Sequence, residues 1–216
     1  MARKYSMENR TASIQETRRR IVQATLELHN EKGLLATSMQ DIAARADVAL
    51  GTVYRHFPSL NDLVPACGAL IWQQNPMPTR DVFKGTESGE TKVGALVRAL
   101  FQHYAAVERQ LETGFSERAQ LPVLADFLEG FLAAVHALVH EAIAPFEPDE
   151  SDTGLAYALS DFHTWQAFTS AGVSSDKAAE FVTSILIDRL RGPTKDARTR
   201  KEDSQKPPSD HKSTSP

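Results

Sequence analysis

Between Thr37 and Leu63 the chain reads TSMQDIAARADVALGTVYRHFPSLNDL, where two short apolar periodicities flank a tight break and leave few folds open. Met39, Ile42, Ala43 and Ala46 recur at helical spacing. Ser38 with Asp41 three residues on has the form of a capping box, with Asp in place of the usual Glu. This spacing predicts a helix from about Met39 to Ala46. A second is predicted from Ala49 to Arg55, with Leu50, Val53 and Phe57 turned inward. Two short helices joined by a tight turn make a helix-turn-helix.

With Val53 and Phe57 inside, Thr52, Tyr54, Arg55 and His56 are left as donors near one surface, and Gly51 lets the backbone approach a groove closely. Such an array suits phosphates and base edges. The major groove admits a helix and presents a distinct donor and acceptor pattern for each base pair, and the second helix of such a motif enters it.

The run resembles the DNA-binding domain of TetR-type (TetR/AcrR-like) transcriptional regulators. It matches their pattern at Leu28, Gly33, Thr37, Ser38, Ile42, Ala43, Val48, Gly51, Thr52, Tyr54, His56, Phe57 and Ser59. The resemblance implies that Ser38, Thr52, Tyr54, His56 and Ser59 hold phosphates while Leu50, Gly51 and Arg55 face the bases or their flanks. The chain departs from the pattern at four places. Asp47 replaces a turn Gly, and Asp is among the few residues that tolerate positive φ. Ala49 replaces a Ser cap, a change that costs about 1 kcal/mol in general. Leu60 replaces a phosphate-binding Lys, and His29 stands where Phe usually packs. Fewer phosphate contacts imply a shallower salt dependence.

The 216 residues, 41% of them hydrophobic, suffice for one large domain or two small ones. Met1–Arg10 lacks the apolar stretch of a signal peptide, and no segment holds ~18 uninterrupted apolar residues, so a cytoplasmic protein with no membrane partner is expected. The single cysteine, Cys67, excludes an internal disulfide and any multi-cysteine metal site. The overall charge of −4 hides an asymmetry: residues 1–60 carry a net +3, residues 61–191 a net −9 and residues 192–216 a net +2. The basic block coincides with the helix-turn-helix, as a phosphate-facing surface requires.

Four segments are expected: a flexible arm over 1–12, a helix-turn-helix domain over 13–58, a helical ligand-binding and dimerisation domain over 59–191, and a disordered tail over 192–216. The fold class is all-α. The first helix is predicted over about Ile14–Lys32, opened by a Ser13/Glu16 capping box and stopped at Gly33, with one or two of Arg18, Arg19 and Arg20 reaching the DNA backbone. Ser59 opens a fourth helix to about Gln74, which the resemblance makes the transmission element. A loop follows over Asn75–Thr91. Further helices are predicted over Lys92–Glu112, Ser116–Pro145 with a break or kink near Pro122, Asp152–Ala171 and Ser175–Arg191.

Aromatic residues are frequent in these helices, and most must be core. A ligand cavity among them is expected to use Phe101, Tyr104, Phe127, Phe131, His163 and Trp165. His136 and His140 have a spacing that can share a metal, but no third ligand is near, and neither metal nor cofactor is expected. The last two helices carry Ala156, Leu159, Phe162 and Phe168, and Ala178, Phe181, Val182, Ile185, Leu186 and Leu190. That apolar surface implies a partner. The family resemblance makes the partner a second copy, so that a twofold dimer meets a roughly palindromic operator.

These observations converge on a dimeric DNA-binding regulator, most simply a repressor released by a small apolar or aromatic inducer. An activator, or a regulator of the same fold answering to a protein, is the alternative. No nucleophile and base at a telling spacing, and no Gly-rich phosphate loop, points to an enzyme.

Overall fold

A computed structural model describes residues 2–192, with side chains from Thr11 onward. The expected tail over 192–216 therefore lies, apart from Gly192, outside the described residues. All regular structure within them is helical: α1 (Ala2–Lys32), α2 (Met39–Arg45), α3 (Leu50–His56), α4 (Leu60–Gln74), α5 (Gly89–Ala106), α6 (Glu108–Glu117), α7 (Pro122–Ile143), α8 (Glu150–Leu159), α9 (Phe162–Ser170) and α10 (Ser175–Arg191), with short 3₁₀ turns between some of them.

Helix α1 begins well before the expected Ser13. Residues 2–12 contain neither Pro nor Gly, so nothing in the backbone interrupts the helix there. Ser13 is instead an interior residue whose carbonyl accepts the Thr17 hydroxyl at 2.9 Å, and Glu16 pairs with Arg19 at 2.7 Å. The Ser38/Asp41 box does form: Asp41 N–H donates to Ser38 Oγ at 3.1 Å, and Ser38 N–H donates to Asp41 Oδ2 at 3.0 Å.

Two predicted helices divide, and an expected break falls where a proline stands. The helix expected over Lys92–Glu112 breaks at Val107, a fully buried β-branched residue at φ −123°. The break expected near Pro122 is present: α6 ends at Glu117, a 3₁₀ turn spans Arg118–Gln120, and α7 starts at Pro122, whose missing N–H and fixed φ suit a first helical position. The helix expected over Asp152–Ala171 divides at Ser160 and Asp161, because the Asp161 carboxylate caps α9 by accepting the His163 N–H at 2.8 Å.

Two apolar cores result. One joins Ile21, Ala24, Leu28, Ile42, Val53 and Phe57 with Leu63 and Cys67; the other joins α5, α6, α7, α8, α9 and α10 with Val64. Helix α4 thus belongs to both, and the expected division after residue 58 runs beside a helix whose opposite faces complete different cores. Full burial of Val53 and of Phe57 stabilises the short α3 by about 1.5–3 kcal/mol each. A helix of seven residues has little stability of its own. The stretch Pro122–Phe146 is by length and composition apolar enough to cross a membrane, although Asp126 and Glu129 interrupt it. Leu124, Leu128, Phe131, Val135, Leu138 and Val139 along it are nevertheless buried in the second core.

Candidate nucleic-acid interface and ligand cavity

The turn between α2 and α3 depends on Asp47, which adopts φ 53°. Arg20 of α1 holds this turn by donating Nη2–H to the Asp47 carbonyl at 2.9 Å and to the Ala46 carbonyl. Arg19 is paired with Glu16. Arg18 lies beside the C-terminus of α3, its guanidinium 4.2 Å from the centre of the Phe57 ring. Of the three arginines, Arg18 stands at the second helix of the motif and Arg20 serves its architecture.

On α3, Gly51, Tyr54 and Arg55 are exposed, and Leu50, Thr52 and His56 are half-buried. Nothing lies within 4 Å of the position a Cβ on Gly51 would occupy, so its surface is open. His56 titrates below its ordinary value because of partial burial, reinforced by the neighbouring charges of Arg55 and Arg18. A phosphate nearby acts in the opposite sense and favours its cation. Ala49 provides no side-chain cap.

Ser38 and Ser59 sit differently from the α3 donors. The Ser38 hydroxyl donates to Asp41 Oδ2 at 2.7 Å and that of Ser59 to Asp62 Oδ2 at 2.6 Å, so both protons are committed within the chain. Lys32 also binds Asp41 at 2.7 Å. Hydrogen bonds from Lys32, then from Ser38, hold the Asp41 carboxyl far below the usual carboxylate range.

A cavity of about 60 Å³ lies where α1, α4, α6 and α7 meet, beside the helix-turn-helix and not among the C-terminal helices alone. Of the six residues expected to line a ligand site, Phe127 lines this cavity. Phe101, Tyr104, Phe131 and Trp165 are buried in the second core. Tyr104 donates its hydroxyl to the Ser160 carbonyl at 2.9 Å, satisfying the backbone at the α8–α9 break, and Trp165 donates Nε1–H to Ser175 Oγ at 3.0 Å. His163 is exposed and lies 2.8 Å from Asp161 through Nδ1. His136 stacks on Tyr157, and no group of three or more metal-binding side chains occurs among the described residues.

Sequence reasoning missed the α1 and α4 walls of the cavity. Trp72 of α4 stacks on Phe127 with ring centres 5.8 Å apart and planes 13° from parallel. Gly68, one turn earlier, makes this possible, because a Cβ there would meet the Phe127 ring at 2.3 Å. Above the cavity, α6 grips the end of α1: Arg109 donates to the Asn30 carbonyl, and the Glu117 carboxylate accepts Leu34 N–H at 2.8 Å and Leu35 N–H at 3.2 Å. Gly33 fits under Glu117 at φ 88°. Besides Phe127, the sequence signal for this site was His29, a polar residue at an otherwise apolar position of α1.

Residues 21–67 match the model of the family described as bacterial regulatory proteins, tetR family. The chain is 30% identical over 181 residues to the HTH-type transcriptional repressor KstR of Mycobacterium tuberculosis, covering 80% of this chain and 81% of that one. It belongs to the TetR family. Family membership makes it a helix-turn-helix, DNA-binding transcriptional regulator and not an enzyme. Among solved structures, a TetR-like regulator from a Rhodococcus species superposes with TM-score 0.62 at 15% identity, covering 82% of this chain and 97% of that one, a likeness of fold. The multidrug binding protein EbrR complexed with malachite green gives TM-score 0.50 at 25% identity, covering 80% and 96%.

Proposed function

We propose that this TetR-family chain is a repressor that leaves its operator when a small apolar or aromatic molecule binds. The observation that carries the reading is the position of the cavity: α4 forms its wall and also completes the core of the DNA-binding unit. A ligand that fits one setting of α4 better than another shifts the population of DNA-competent molecules by its differential affinity. The designation of KstR as a repressor and the binding of malachite green by EbrR agree with this reading.

Two copies joined through α8, α9 and α10 present two α3 helices to half-sites about one turn of DNA apart or a multiple of it. Thr52, Tyr54 and His56 then contact phosphates, while Leu50, Gly51 and Arg55 face base edges. Ser38 and Ser59 position their helices through their caps in the free protein, and donate to phosphates once their hydroxyls turn away from Asp41 and Asp62. The protein works where the chromosome is, in the cytoplasm.

Selection of random duplex DNA by the full-length protein tests the reading. A palindromic consensus is expected, with binding lost on Tyr54→Ala and with Arg55→Ala weakening it by about 1–3 kcal/mol and relaxing one base position. A consensus without twofold symmetry, or a Tyr54→Ala variant that binds equally, sinks it. Deleting the gene and measuring adjacent transcripts separates repressor from activator.

A further inference from the structure

His29 is the one ionisable imidazole in the wall of the α1–α4–α6–α7 cavity. It is only 6% exposed, and its Nε2 is sealed from solvent with no hydrogen-bond partner. A buried polar atom left unpaired costs about 1–3 kcal/mol, a cost that a bound partner removes. The cavity holds no Lys, Arg, Asp or Glu in its lining, so a charged ligand would be desolvated there without a counter-ion. Burial pushes the His29 ring down to about 4, which leaves it neutral near pH 7.

Asn30, Gln110 and Thr113 are the other polar lining residues, and the remaining wall selects shape. Trp72 and Phe127 present stacked rings, with Leu111 and Leu124 among the aliphatic neighbours. At about 60 Å³ the space exceeds the ~10–15 Å³ that one water needs, and falls short of the ~300 Å³ of common drug-sized sites. One ring fills it. Neutral imidazole offers either a donor or an acceptor at Nε2, and a hydroxyl can answer both, unlike a ketone or an ether.

We propose that this cavity binds a neutral, single-ring hydroxylated aromatic whose hydroxyl pairs with His29 Nε2, so that the ligand touches the DNA-binding unit itself. The proposal rests on the ligand-responsive reading above and names its ligand class and polar anchor. The site straddles the two cores: His29 and Asn30 come from α1, Trp72 from α4 and Phe127 from α7. A ring seated there contacts both sides of the junction that α6 clamps through Arg109 and Glu117.

Phenol and toluene are the probes, since they differ by a hydroxyl in place of a methyl. The full-length protein is titrated with each, reading tryptophan emission, because Trp72 is in the wall. Phenol is expected to saturate and to bind at least tenfold more tightly than toluene. His29→Phe should erase the preference while toluene still binds, and His29→Gln should restore part of it. In wild-type protein the His29 Nε2 nitrogen resonance should move with phenol and not with toluene, a readout that needs no variant to fold. Equal binding of the two probes, a preference surviving His29→Phe, an unmoved resonance or the absence of saturable phenol binding overturns the proposal. Operator release is measured separately: phenol seated at His29 with the operator retained refutes ligand-driven release and leaves the site standing.

Discussion

Asp47 holds φ 53° at the turn between α2 and α3 while Arg20 binds its carbonyl, so a single backbone conformation sets the angle between the two helices of the motif. Left-handed backbone costs an L-residue roughly 1–2 kcal/mol, least for Gly, Asn and Asp. Asp47→Val is therefore expected to lower stability by about 1–2 kcal/mol and to weaken operator binding, whereas Asp47→Gly should retain both; thermal melting and a DNA titration check this. His29 makes a second residue-scale prediction. Its folded value, about 4, lies below the ordinary 6.5, so between those values the unfolded chain binds the proton more readily. Stability from this group is complete above pH 6.5 and is lost as pH falls toward 4, by on the order of 3 kcal/mol at about 1.36 kcal/mol per unit. Denaturant melts from pH 7 to 4.5 should show that slope, reduced in His29→Phe.

At the scale of elements, α4 gives Leu63 and Cys67 to one core and Val64 to the other, while Gly68 receives the Phe127 ring of α7. Burial pushes the Cys67 thiol up to about 12, which makes it an inert part of the packing and not a redox switch. Gly68→Ala places a methyl 2.3 Å from the Phe127 ring, so either the ring turns into the cavity or α4 parts from α7. The expected cost is about 1–3 kcal/mol of stability. Operator affinity should change with it, because α4 also supports α1. An unaltered melting temperature together with unaltered DNA binding would show that α4 does not couple the two cores.

At the scale of the molecule, much of the apolar surface expected to meet a partner is satisfied within the chain. Ala156, Phe162, Ala178, Val182, Leu186 and Leu190 are all buried. What remains is narrower: Phe181 is 42% exposed and Ile185 46%, four residues apart on one face of α10, with Phe168 of α9 at 6.4 Å from the Phe181 ring. This stripe is the expected centre of the twofold contact. Combining Phe181→Lys with Ile185→Lys should yield a folded monomer by sedimentation, with operator affinity lower by tenfold or more as the two α3 helices lose their fixed spacing. A double variant that remains dimeric would place the contact elsewhere.

The sequence by itself determined what is decided within a few residues. The Ser38/Asp41 cap, the inward Val53 and Phe57 and the exposed Tyr54 and Arg55 follow from side-chain chemistry at fixed offsets along one or two helical turns, and the family resemblance placed Asp47 at a turn position that favours Gly. The frequency of aromatics in the later helices marked Phe101, Tyr104, Phe131 and Trp165 as core or cavity residues, but composition carries no information about which neighbour each one meets. Only the tertiary structure decided that these four are buried in a core, that Phe127 lines a cavity, and that the cavity's other walls come from residues as distant as His29, Trp72 and Leu111. The helix breaks at Val107 and Ser160 belong to the same class. There the helices' buried faces and the Tyr104 hydroxyl take precedence over local helical preference, because packing contributes more than the few tenths of a kcal/mol per residue that propensity typically supplies.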